Sequence, residues 1–265
     1  MHKIWIIACN TFREAIRDKI LYNLLIFALV IIGASYLLST LTLGEQSKII
    51  LDLGLGSINL FGVLIAIFVG IGLVNKEIER KTIYTIISKP IARYQFLIGK
   101  YFGLVATLFV NLSIMLVGFY CSFYLQKTGF LFLYAPEVHL DLGFYKAVFL
   151  IFIELMVVTG IAILFSTFTT STLAAIFTLF FYVIGHLLGT LKELAVKLQD
   201  PLSKNLLDGL YYFLPNLEKF NIKAEVVHHI PISFQYMLMS TLYGILYISA
   251  LLLLASLIFQ KRDFK

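Results

Sequence analysis

The sequence predicts an all-α, polytopic membrane protein with six transmembrane helices, an amphipathic N-terminal helix and both termini on the cytoplasmic side. Three observations carry this prediction. First, only 14% of the 265 residues are charged, while 60% are hydrophobic and the mean hydropathy is +0.92; soluble domains carry about 25% charged residues. Second, the apolar residues fall in six runs, at 21–43, 53–75, 97–125, 146–167, 172–189 and 234–259, each near or above the ~18 residues needed to cross a bilayer. Third, a cytoplasmic N-terminus puts thirteen of the 21 Lys and Arg residues on the inner side, as the positive-inside rule requires. Five of the other eight sit in one long segment, 190–233, and long segments translocate largely regardless of charge. The net charge of +6 therefore reports topology, and no nucleic-acid partner is expected.

Residues 1–20 read as an amphipathic helix. Trp5, Cys9, Phe12, Ile16 and Ile20 fall near one face, and Arg13, Glu14, Arg17, Asp18 and Lys19 take the other. Such a helix lies in the membrane interface, apolar side down and basic side toward anionic lipid; the plainer alternative is a basic flank that only orients the chain. The first span is too long for the apolar core of a signal peptide and no small-x-small site follows it, so it is expected to be retained. The second span carries Gly62, Ala66 and Gly70 at four-residue spacing, a small-xxx-small face on which helices approach closely. Whether that face meets its own chain or a second copy stays open. Asn59 on the same span and Asn111 on the third read as interhelical hydrogen-bonding groups.

Between the second and third spans the chain becomes polar. Residues 73–100, LVNKEIERKTIYTIISKPIARYQFLIGK, hold six Lys or Arg. Ile78, Thr82, Ile83, Ile86 and Ile87 recur at helical spacing. Glu77 and Lys81 stand four apart, a favourable ion-pair spacing. Pro90 then ends the helix and pushes Lys89 toward an extended conformation. Orientation needs only the charges. A surface that grips another protein needs the ordered pattern too.

Glu154 is the only acidic residue well inside a span, where ionisation costs on the order of 2.5–3.5 kcal/mol. It lines a path, relays protons, or takes a hydrogen bond from a neighbouring helix, with Asn111 and Thr107 of the third span as candidates. Ser166 to Thr172 read S-T-F-T-T-S-T, a tight turn whose hydroxyls are expected to cap the fifth span. Within 190–233, Leu191, Leu194, Ala195 and Leu198 precede Pro201, and Leu206, Leu207, Leu210, Tyr211 and Phe213 precede Pro215, marking short amphipathic helices. His228 and His229 are adjacent and lack the spacing of a metal site, so no metal is expected. Cys9 and Cys121 are far apart and suggest no disulfide framework.

The stretch NKEIERKTIYTIISKPIARYQFLIGKYFGL resembles the first cytoplasmic loop of ABC-2 type transporter permeases, through Glu79, Lys81-Thr82, Ser88-Lys89-Pro90, Arg93 and Gly99-Lys100-Tyr101. FSTFTTSTLAAIFTLFFYVIGH (165–186) and YYFLPNLEKFNI (211–222) resemble the NosY-like branch of that family. The resemblance covers most of the chain, as one domain over 1–265. It implies an elbow helix at 1–20 (Trp5, Phe12, Arg13, Arg17) and an external segment at 190–233. It also implies a coupling helix at 76–96 seated in a separate ATPase, with Glu77, Glu79, Arg80, Lys81, Thr82, Ser88, Lys89, Pro90 and Arg93 as contacts. A second permease copy, an inner-membrane location and export are implied with it.

The chain has no phosphate-binding Gly-x-x-x-x-Gly-Lys-Ser/Thr: Tyr94 stands at the first Gly position and Tyr101 at the hydroxyl position. No cofactor is therefore expected on this chain, and ATP and Mg belong on the partner. An intramembrane enzyme would need a second group beside Glu154 that spacing does not identify. A secondary carrier would show broken helices or several intramembrane charges, and no Pro lies in any span. The NosY-like variant, motion passed to a periplasmic partner that docks on 190–233, stays open.

Overall fold

The computed structural model describes residues 2–39, 46–79, 92–127, 142–197 and 201–261. Every regular element among them is helical: α1 (His2–Ile16), α2 (Lys19–Ser39), α3 (Gln46–Glu79), α4 (Arg93–Lys127), α5 (Leu142–Ser166), α6 (Ser171–Lys197), α7 (Pro201–Phe213), a 3-10 turn (Leu217–Phe220), α8 (Lys223–Val227) and α9 (Phe234–Lys261). Six of them are long and apolar enough to cross a bilayer: Lys19–Ser39, Lys48–Gly72, Arg93–Tyr124, Leu142–Ser166, Ser171–Leu194 and Phe234–Lys261. The apolar runs of the sequence mark all six.

Helix α5 is the centre of the bundle. It is apolar on every side, and a helix of that kind is stable only when surrounded. Ile151, Leu155, Val158, Ile161 and Ala162 are all buried, and α3, α4, α6 and α9 pack around it. The outer helices divide their faces. On α6, Ala174, Thr178 and Leu188 face inward while Ile176, Phe180 and Val183 are exposed; on α9, Ile248, Leu251 and Ala255 face inward while Leu246, Leu253 and Leu257 are exposed. An apolar outer face of this kind suits lipid.

Helix α1 packs flat on α4, held there by two glycines. A Cβ on Gly99 would collide with Ile7 and stand 3.1 Å from the Ile4 carbonyl, and one on Gly103 would stand 2.6 Å from both the Ala8 carbonyl and Thr11. Its buried face is therefore the small one, Ala8, Thr11 and Ala15, and Trp5 and Ile6 on the flank are exposed. Lys100, almost fully buried, reaches Glu14 of α1 at 3.4 Å. A turn at Arg17 and Asp18 follows, and the Asp18 carboxylate accepts from the Ile20 N–H at 3.0 Å, an N-cap for α2.

Arg93 Nη1 donates to the Phe259 and Gln260 carbonyls. The start of α4, the end of α9 and α1 therefore share one end of the bundle. Between α5 and α6 the hydroxyls were expected on the N-terminus of the following helix. Ser166 donates to Ile163 O, Thr167 to Leu164 O and Thr169 to Phe165 O, so these three hydroxyls also tie down the last turn of α5. A helix end leaves its final carbonyls unpaired, and a run of hydroxyls directly after it is well placed to meet them.

Candidate functional site

At the other end, residues 214–227 do not lie over the bundle. They enter it. Leu217 and Phe220 are completely buried, and Leu214, Ile222 and Val226 nearly so. Glycines on the facing helices make the space: a Cβ on Gly185 would stand 2.8 Å from the Pro215 carbonyl, Gly189 lies against the Glu218 carboxylate, and Gly244 touches Phe220 and Ile153. Hydrogen bonds fix the insertion. Tyr243 accepts from the Asn216 N–H at 2.9 Å, and Tyr247 donates to Phe213 O at 2.8 Å. Tyr236 and Ser240 both donate to Lys219 O, and Lys146 holds the exit through Ile232 O at 2.6 Å. We call this segment the wedge.

The wedge lies over a buried polar cluster at mid-bundle. Glu154 sits about 18 Å along α5 from its start, at 1.5 Å per residue, and is fully buried. Asn59 Nδ2 of α3 donates to its Oε2 at 2.8 Å, and Tyr182 of α6 donates to Asn59 Oδ1 at 2.9 Å. His186, one turn beyond Tyr182, places Nε2 3.3 Å from Glu154 Oε1 and Nδ1 3.2 Å from the Tyr182 carbonyl. Lys223 of the wedge lies in electrostatic range of Glu154 and His186, and Glu218 in range of His186. Four side chains from three spans thus meet where water is scarce. In such surroundings each bond is stronger and each omission more costly.

The third span was the expected source of Glu154's partner. The structure gives that role to Asn59 on the second. Asn111 Nδ2 bonds Thr107 O of its own helix at 2.8 Å and Thr107 bonds Gly103 O; neither reaches Glu154, and Asn111 Oδ1 is buried without a partner among the described residues. The small-residue face packs within the chain: a Cβ on Gly62 would strike Leu155 of α5, one on Gly70 would stand 3.8 Å from Ala162 and Leu104, and Ala66, between them in sequence, is buried. His228 and His229 are exposed, and no group of three potential metal ligands occurs among the described residues.

Of the loop contacts, Glu77 and Glu79 lie on the last turn of α3, and Arg80, Lys81, Thr82, Ser88, Lys89 and Pro90 lie outside the described residues. Arg93 is described, and its Nη1 donates to carbonyls in the last turn of α9. In α1, Phe12 is half-buried and Arg13 exposed, and Arg17, in the turn after it, is exposed too.

The family model described as "ABC-2 family transporter protein" matches residues 5–264. The chain belongs to the ABC-2 transporter family. No curated protein matches it. An ABC-2 permease is the membrane component of an ABC transporter rather than a catalyst, and the family generally works with an ABC ATPase. In this ABC-2 chain the residues that sequence reasoning missed are His186, Tyr182 and Lys223. His186 was visible as an ionisable side chain inside an apolar run; looking for acids alone passed over it. Tyr182 at four residues' spacing marks the same helix face.

Among the described residues, apolar grooves lie on two flanks of the bundle. One, about 930 Å³, lies along α1 and α4 and is lined by Trp5, Phe12, Phe102, Phe109 and Phe152. The other, about 410 Å³, lies between α3 and α6 against Phe68, Ile71, Thr172 and Ile176.

Proposed function

We propose that this chain is the permease subunit of an ABC exporter, driven by a separate ATPase that carries ATP and Mg and seats on residues 76–96. Both termini face the cytoplasm of an inner membrane, where basic residues gather. The observation that supports this most is Arg93. It stands at the exit of the coupling loop and bonds the last carbonyls of α9, so displacement of the loop pulls on α4 and α9 together. The Lys100–Glu14 pair adds α1 to the same moving group. Two copies form the working transporter, as the family resemblance implies.

The cargo is apolar or amphiphilic, in keeping with two grooves whose walls are nearly all hydrocarbon. A second reading, motion transmitted to a periplasmic partner, draws on α7, where Tyr212 and Phe213 are exposed beside the wedge. Gentle extraction from the native membrane and identification of co-purifying chains tests the first reading. A Walker-motif ATPase is expected. A chain that comes alone, with ATP-independent transport in vesicles, would return the choice to a secondary carrier.

A further inference from the structure

We propose that the groove along α1 and α4 binds one acyl chain of an anionic phospholipid, drawn from the leaflet on α1's side, with the lipid phosphate held by Arg13. The site needs only the membrane fold, whatever the ATPase and the cargo. Its shape begins in the sequence of α4, where the large Phe102 and Phe109 alternate with the small Gly103 and Ala106. Both rings are exposed, and a trough lies between them. Helix α1 packs on α4 at Gly103 and adds Trp5, Cys9 and Phe12 as a wall. Those three stand four and three residues apart, on one helix face. Phe152 of α5 lines the far end, edge-on to Phe109 with ring centroids 5.8 Å apart.

The depth of the groove selects a lipid chain. From Phe102 to Val110 the groove follows α4 for about 12 Å, and Phe152 stands about 15 Å along α5 from Leu142, at 1.5 Å per residue. The hydrocarbon core of a bilayer is about 30 Å thick. The groove therefore starts at α1 and ends near the middle of the membrane, the reach of a single leaflet. A spanning helix of a second copy would need both leaflets, and would have to displace α1 to follow α4 along its length. Walls of hydrocarbon do not hold water, which needs polar partners, and an unfilled trough forfeits dispersion contacts on each wall. A chain lying between two rings meets more of those contacts than one on the outer face of α6.

Charge at the rim selects the headgroup. Trp5 is the chain's only tryptophan and is exposed. Tryptophan gathers at the membrane–water interface, which sets α1 at headgroup level with the groove beneath it. Arg13 follows Phe12 and stands four residues beyond Cys9, so it flanks the groove face. It is exposed, as is Arg17 in the turn that follows α1. Glu14, between them in sequence, is turned toward Lys100 at 3.4 Å. The rim thus offers guanidinium groups, whose forked donors suit a phosphate.

The lone tryptophan supplies the test without an added label. The full chain is reconstituted in phosphatidylcholine vesicles, and Trp5 fluorescence is followed as phosphatidylglycerol brominated on its acyl chains replaces part of the lipid. Brominated phosphatidylcholine is the comparison, since bromine quenches only on contact. Phosphatidylglycerol should bind with about fivefold higher affinity, the weight of one basic residue beside an anionic lipid. Arg13→Gln should remove that preference. Ala106→Phe, at an exposed position in the trough, should also bring the two lipids level by filling it; if that variant does not insert, Val110→Phe at the deep end is read instead. Val183→Phe, on the outer face of α6, should change nothing. Equal quenching by the two lipids in wild type overturns the proposal. So does a preference that survives Arg13→Gln, or one that survives the filled trough, which would place the anion on the surface of α1 alone. A Trp5 that neither lipid quenches, as a second copy seated on the groove would leave it, overturns it as well.

Discussion

Arg93 Nη1 stands 3.0 Å from the Phe259 carbonyl, so the residue that opens α4 is also the cap on the last helix of the bundle. The same nitrogen lies 2.8 Å from Gln260 O. The final carbonyls of a helix have no partner within it, and a cation there also meets the negative end of the helix dipole. Replacing Arg93 by Ala should fray the end of α9 at a cost of about 1 kcal/mol, discounted because the site is partly solvated. Hydrogen exchange reads this directly: amides near residues 255–261 should lose protection, and those in the middle of α9 should not.

Asn59 is the joint of the buried cluster, donating to Glu154 and accepting from Tyr182. Asn59→Ala strands a carboxylate oxygen and a phenol at once and should cost about 2–4 kcal/mol, by the penalty for leaving buried polar groups unpaired. Asn111→Ala removes only a bond to its own helix and should cost under about 1 kcal/mol. Melting temperatures of the two variants in one detergent decide the matter; equal losses would mean that the cluster does not close as described.

The glycines that admit the wedge should differ among themselves. At Gly185 a methyl group meets the Pro215 carbonyl, which is backbone, and the side chain of Leu217. Gly185→Ala should therefore destabilise the chain by about 1–3 kcal/mol, as overpacking does. At Gly189 the obstacle is the end of the Glu218 side chain, which can turn away. Gly189→Ala should leave the wedge seated, and limited proteolysis between 214 and 230 should rise in the first variant only.

Gly103 makes the corresponding prediction for α1. A larger residue there strikes the Ala8 carbonyl and Thr11 and should lift α1 from α4, opening Lys100 to solvent. Gly103→Val should raise the reactivity of Lys100 toward an amine reagent several-fold, while Gly33→Val, at a position with nothing nearby, should not.

The six spans were legible because a run of some 18 apolar residues has few other uses. Their ends moved by several residues where polar ends are carried by helix, as at Arg93. The wedge was not legible. Leu217, Phe220 and Ile222 are interleaved with Glu218, Lys219 and Asn221, a pattern that reads as a surface turn until Gly185, Gly189 and Gly244 are placed opposite it. The cluster was half legible. Glu154 announced itself by its charge, but Asn59 lies 95 residues away in sequence and no spacing rule spans that distance. For α1 one detail was not legible: Trp5 was placed on an apolar face turned to the membrane and is exposed on the protein, but only the close approach to Gly99 and Gly103 shows that Ala8, Thr11 and Ala15 form the face packed on α4.

The central claim, that an ATPase grips this chain at the loop following α3, is tested most directly by quantifying what co-purifies with it from native membrane. Wild type should be compared with Glu79→Ala plus Lys81→Ala, a pair that spares the structural contact of Arg93. The account predicts a Walker-motif ATPase with wild type, and its loss from the double variant while both chains insert in equal amounts. Undiminished ATPase on the double variant, or none on wild type, would contradict it.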